Sequence, residues 1–77
     1  MYDTSKLRGR IVEKFGSQKA FSKVVNNSIS FISQYLHGKK NLDQKTIDSW
    51  ASALDISADD IPVFFFTKKV HDTEHIT

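Results

Sequence analysis

The sequence predicts an all-α domain of five short helices. Three observations carry this expectation. Apolar residues recur at spacings of three and four. Residues that favour helix starts and helix stops punctuate them at short intervals. The links left between are two to six residues long, ordinary for a compact helical domain. With 77 residues the chain reads as one domain over 1–66, followed by a flexible polar C-terminal tail over 67–77.

Leu7, Ile11 and Phe15 recur every four residues, one stripe of a first helix over 5–15. Thr4 or Ser5 offers a hydroxyl to cap its free N–H groups, and Gly16 ends it by adopting left-handed backbone cheaply. Ser17 caps a second helix with Ala20, Phe21, Val24 and Val25 as its apolar face. It stops at Asn26-Asn27, since Asn enters left-handed backbone more readily than other residues with a Cβ. Ser28 caps a third helix, Gly38 terminates it, and Ile32, Tyr35 and Leu36 share its inward face. Lys39 to Asn41 is a loop. Asp43 caps a fourth helix whose stripe is Ile47, Trp50, Ala51 and Leu54, which places Trp50 in the core.

Ser57 and Asp60 resemble a capping box with Asp in place of Glu, opening a short fifth helix. Pro62 removes a donor and restricts Ile61, so that helix must be short or start afresh at Pro62. Val63 to Phe66 fits a last helical turn or a strand equally. One or two of Phe64, Phe65 and Phe66 are expected to close the core beneath Trp50 and Leu7. A ring left outside would favour a homodimer contact.

Composition narrows the function. Hydrophobic residues make up 39%, enough for one core, and the absence of Cys excludes disulfides and thiolate metal sites. No apolar run approaches the ~20 residues of a membrane span and no signal-peptide pattern opens the chain, so no membrane role is expected and the protein is placed in the cytoplasm. Residues 1–45 carry nine Lys/Arg against Asp3, Glu13 and Asp43, a balance of +6; residues 46–77 carry Lys68 and Lys69 against six acids, a balance of −4. A basic front half suggests a polyanion or an acidic partner surface; the bland alternative is a solvated lysine-rich face.

His71 and His75 stand four apart but lack a third ligand, so no metal is expected. Asp59-Asp60 reads as a charge pair at a helix N-terminus. No general base, nucleophile or Gly-rich phosphate loop accompanies it. No catalytic residue, cofactor or small-molecule substrate is expected, and the chain is not read as an enzyme.

The second and third helices, each about two turns and joined by a tight turn, have the layout of a helix-turn-helix from Gln18 to about Leu36. Phe21 and Val25 occupy buried positions of its first helix, Ser22 a crossing point that needs a small side chain, and Ile32 and Tyr35 buried positions of its second. With Ser33 to Gly38, Trp50, Leu54, Ile56, Ser57 and Ile61, the sequence over about 5–61 resembles the lambda-repressor-like domain of phage repressors and Cro proteins. The opening residues Met1 to Ile11 and Lys14 to Gly16 are similar to those of short phage-encoded regulators of this class, among which are modulators of repression. Asn26 stands where the family's turn glycine normally is, and Asn27 where a buried aliphatic is common, so a small piece of core is expected to be missing.

The resemblance implies a bacterial host cytoplasm and a recognition face of Ile29, Ser30, Phe31, Gln34 and His37, aimed at bases or at a partner protein. Lys19, Lys23, Lys39 and Lys40 form a basic rim for phosphates, supported by Gln18. That face holds no Arg, Lys or Asn, and base edges are discriminated mostly by Arg, Lys, Asn and Gln. Exposed Ile and Phe suit a protein interface better, unless Ile29 folds onto the core and Phe31 covers a seam to the second helix. The resemblance therefore implies two functions in a temperate-phage switch. One is a modulator of repression that grips the DNA-binding domain of the phage repressor protein. The alternative is a Cro-like dimer that reads operator DNA through the third helix. The departures on that helix favour the first.

Overall fold

The computed structural model describes residues 2–68, so His71, His75 and most of the expected tail lie outside the described residues. The order is α1 (Ser5–Phe15), α2 (Gln18–Val25), α3 (Ile29–Leu36), α4 (Gln44–Ala53), a 3-10 turn (Ala58–Asp60) and α5 (Ile61–Phe65). The chain is therefore all-α with five α-helices, as the punctuation predicts. Among the described residues the only extended pairing in view is an isolated antiparallel bridge between Tyr2 and Lys68. It is reinforced where the Asp3 N–H donates to the Thr67 carbonyl at 2.7 Å, so regular contacts run two residues past the expected domain limit of 66.

Helix starts follow the chemistry of their caps. Ser17 Oγ accepts from the Ala20 N–H at 3.1 Å, Ser28 Oγ from Phe31 N–H at 3.0 Å, and Asp43 Oδ1 from Thr46 N–H at 2.8 Å. Hydrogen bonds from the Thr46 side chain and backbone hold the Asp43 carboxyl below its usual range. Helix ends use left-handed backbone at Gly16 (φ 83°) and Asn26 (φ 60°), and Gly38 (φ 78°) turns the chain just past α3.

Thr4 departs from its expected role. Its hydroxyl does not cap α1; it is buried and donates to the Leu36 carbonyl at 2.7 Å. A buried hydroxyl needs a partner, and the open C-terminal end of α3 supplies one. Asp3 caps α1 instead, its Oδ1 accepting from the Ser5 N–H at 2.9 Å and the Ser5 hydroxyl at 2.6 Å.

The core forms around Trp50 of α4, which is 0% exposed. Phe21 of α2 meets its ring at 5.2 Å between centroids and Tyr35 of α3 at 5.6 Å, both edge-on, the favoured aromatic geometry. The indole N–H donates to Asn27 Oδ1 at 2.9 Å. Asn27 is thus no gap in the core: it satisfies a buried donor that an aliphatic residue would leave unpaired. The expectation of missing core is corrected on this point.

Val63 to Phe65 are helical, and Pro62 falls in the first turn of α5, where a missing N–H is harmless. The three phenylalanines part ways. Phe65 is fully buried and closes the core beside Tyr35, Phe64 is half-buried with the Arg10 guanidinium 5.0 Å above its ring, and Phe66 stays exposed, edge-on to Tyr2. The Tyr35 hydroxyl donates to the Phe65 carbonyl at 3.2 Å, tying α3 to the closing helix. Burial pushes this phenol up to about 12, with Tyr2 adding to the effect.

Two stability predictions follow from these bonds. Asn27→Ala leaves the Trp50 N–H unpaired and costs about 1–3 kcal/mol in urea unfolding; in a double-mutant cycle with Trp50→Phe the two losses are non-additive. Because the Tyr35 pKa lies above its unfolded value of about 10, the stability it adds is full below pH ~10 and is lost as pH rises towards ~12. Melting curves across that window should fall more steeply for the native protein than for Tyr35→Phe.

Candidate interaction surface

The surface in question is formed by α2, the turn at Asn26-Asn27, α3 and the loop that follows. Packing of Phe21 and Tyr35 on Trp50 fixes where α2 and α3 sit. Ser22 is buried and turns its hydroxyl back on its own helix, donating to the Lys19 carbonyl at 2.6 Å. Val24 departs from expectation. It is 57% exposed and does not belong to the inward face of α2, which holds Phe21, Ser22 and the half-buried Ala20 and Val25. Phe21 alone meets both Phe15 of α1 and Trp50 of α4, so a narrow stripe suffices for a two-turn helix, and Val24 falls beyond its edge.

The five residues expected on the recognition face are treated differently by the fold. Ile29, at the first turn of α3, is 45% exposed and does not fold back onto the core. Ser30 and Gln34 are exposed and face each other one turn apart, with Gln34 Nε2 donating to Ser30 Oγ at 3.4 Å. Phe31 is half-buried, and its ring meets Trp50 edge-on at 6.3 Å. It therefore covers the approach to α4, where the sequence suggested a seam to α2. Its outer face carries the Lys40 ammonium 4.8 Å from the ring centroid, a cation–π contact. His37 is exposed but curls back on α3: Nδ1 lies 2.8 Å from the Ser33 carbonyl, a bond that requires the proton on Nδ1.

The outward centre is thus Ile29, Ser30 and Gln34, with Val24 across the turn. Lys19 and Lys23 on α2 and Lys39 and Lys40 in the loop after α3 are exposed, and Gln18 is half-buried at the start of α2. Lys40 belongs to rim and centre at once, since it roofs Phe31. Sequence reasoning missed that link, which needs the loop after α3 to fold back by nine positions.

It also missed the work of two arginines. Arg8 Nη2 donates to the Leu36 carbonyl at 3.1 Å, joining Thr4 at the C-terminal end of α3. Arg10 Nη1 donates to the carbonyls of Leu54 at 3.0 Å and Asp55 at 3.3 Å, at the end of α4. Cations at helix C-termini satisfy open carbonyls and oppose the negative end of the helix dipole. Two of the basic charges of the front half are therefore structural. A hollow of about 410 Å³ opens between the N-terminal segment and the end of α3, and Thr4 and Arg8 on its wall already bond Leu36. Among the described residues no group of three His, Cys, Asp or Glu side chains could hold a metal ion. None of the described helices is long and apolar enough to cross a membrane.

Comparison with known proteins adds to this geometry. No curated protein matches the chain. Among solved structures, the chain resembles the solution structure of the modulator of repression (MOR) of the temperate bacteriophage TP901-1 from Lactococcus lactis. The TM-score is 0.76 at 36% sequence identity, over 91% of this chain and 95% of that chain. A family model described as "Protein of unknown function (DUF739)" matches residues 1–68, the span that carries every described helix and the whole α2–α3 surface. The chain belongs to that family.

Proposed function

We propose that this protein regulates a temperate-phage repression switch as a modulator of repression. It is a binding protein of the bacterial host cytoplasm, with no catalysis of its own. In this reading α2 and α3 form a helix-turn-helix whose outward face grips the DNA-binding domain of the phage repressor. The likeness to MOR supports the place in a phage switch. The observation that carries the finer reading is Ile29, 45% exposed at the first turn of α3 with no Arg, Lys or Asn on that helix. An exposed aliphatic side chain supplies apolar area to a protein partner, whereas a base edge offers it at most a thymine methyl.

A second reading has its own support. Gln34 can address an adenine edge, α2 and the loop after α3 carry four exposed lysines, and Phe66 with Tyr2 offers an apolar patch for a homodimer. On that reading the protein is a Cro-like dimer on operator DNA. The readings separate in one titration of the purified protein against the repressor of the same phage, and against early-promoter DNA with a scrambled control. A specific DNA complex of roughly nanomolar affinity that persists at physiological salt makes it an operator reader.

Substitution distinguishes the two apolar residues of α3. Ile29→Asp is expected to leave the melting temperature nearly unchanged, within about 0.5 kcal/mol of native stability, because the site is solvated. The same variant should lose at least about 100-fold in repressor affinity by calorimetry, a loss of the size seen when a central anchor is removed. Phe31→Asp should instead destabilise the fold by about 2 kcal/mol or more, because it removes the ring that covers Trp50. Intact repressor binding by Ile29→Asp would place the interface elsewhere.

A further inference from the structure

From Phe15 to Leu42 the chain carries four lysines, no arginine and no carboxylate. That interval contains all of α2, the turn, α3 and most of the loop after it. The acids of the described chain fall outside it: Asp3 and Glu13 before, and Asp43, Asp48, Asp55, Asp59 and Asp60 after. The charged side chains of α2, α3 and the loop residues up to Leu42 therefore have one sign, and Val24 and Ile29 are the exposed aliphatic residues of the same segment.

This bears on what it can grip. A repressor's phosphate-contacting face is itself cationic, because it must neutralise DNA charge. Two cationic faces pressed together repel, and neither α2, α3 nor the turn between them supplies a carboxylate that would relieve them. Lysine also suits a rim: its ammonium is strongly hydrated, stays in water at the edge of a contact, and steers an oppositely charged partner towards it.

We infer that the α2–α3 surface takes an apolar patch rimmed by carboxylates on the repressor, lying beside and not on its phosphate-contacting face. The inference rests on the proposed function and specifies its chemistry. Ile29 and Val24 enter the apolar patch, and Lys19, Lys23 and Lys39 pair with its acidic rim. Lys40 has a second part. A carboxylate that pairs with its ammonium draws it off the Phe31 ring, so the half-buried ring joins the contact while its edge stays on Trp50. Interference with operator binding is then steric, from a neighbour docked alongside.

The test is stopped-flow association of the full chain with the full-length repressor between ~0.01 M and ~1 M salt, over which the Debye length shrinks from ~30 Å to ~3 Å. The expected result is an association rate that falls at least about tenfold as salt rises. Lys23→Glu and Lys39→Glu should each slow association about fivefold at low salt and converge on the native rate at high salt. Lys14→Glu, whose site lies against Asp55 at the end of α4, should leave the salt dependence unchanged. A complex whose association is indifferent to salt, or quickens with it, overturns the acidic-rim inference while leaving the proposed function standing. Binding of scrambled duplex DNA to the chain alone at low salt, as tight as its binding of the repressor, also overturns it, because phosphate is then as good an occupant. No complex at any salt overturns the proposed function and this inference with it.

Discussion

One hydrogen bond organises this domain: the indole N–H of Trp50 on the side-chain oxygen of Asn27. Trp50 is the largest fully buried side chain, and its single polar group must be satisfied inside the protein. Asn27 can reach it only if the turn between α2 and α3 sits directly over α4. The rings of Phe21, Phe31 and Tyr35 then close around the same indole from both helices. The relative placement of α2 and α3, and hence of the surface they present, is thus set by a side chain on a third helix. In a domain of this size, with little apolar area to spare, a polar bond that fixes one arrangement adds what bulk burial alone cannot.

The charges divide into two working groups. Arg8 and Arg10 project from α1 onto the C-terminal carbonyls of α3 and α4, where they hold three helices together. The lysines of α2 and of the loop after α3 make no such bonds among the described contacts, apart from Lys40 on Phe31. The partition follows side-chain chemistry. A guanidinium presents several fixed donors and tolerates partial burial, while an ammonium holds its water and stays outside. The basic front half is thus a scaffold of arginines beneath a surface of lysines.

Local rules made the fold legible. The caps Ser17, Ser28 and Asp43 and the stops Gly16 and Asn26 each act within four residues, so the sequence displays both cause and effect. What escaped was long-range. Thr4 has the right chemistry for a cap, but its hydroxyl finds a carbonyl 32 positions away. Asn27 reads as a hole in the core until its partner 23 positions on is seen. Phe31 and Ile29 look alike in sequence, yet only Phe31 lies where Trp50 and Lys40 can sandwich it. Val24 matched an apolar stripe that two turns of helix did not need. The expected surface residues were legible as a set, but their division into solvated and core-bound members depended on which side of α3 the fourth helix occupies.

The way α3 is fastened has a consequence for how such a protein diversifies. Its far end is gripped by Thr4 and Arg8 at Leu36, and its middle by Tyr35 on Phe65. Its near end is held by the Ser28 cap and by Asn27 on Trp50, with Ile29 and Ser30 projecting outward between the fastenings. Mechanically α3 is a beam clamped at both ends. Residues that project from it can be exchanged without loosening the clamps, so a lineage can change the partner it recognises while its fold stays still.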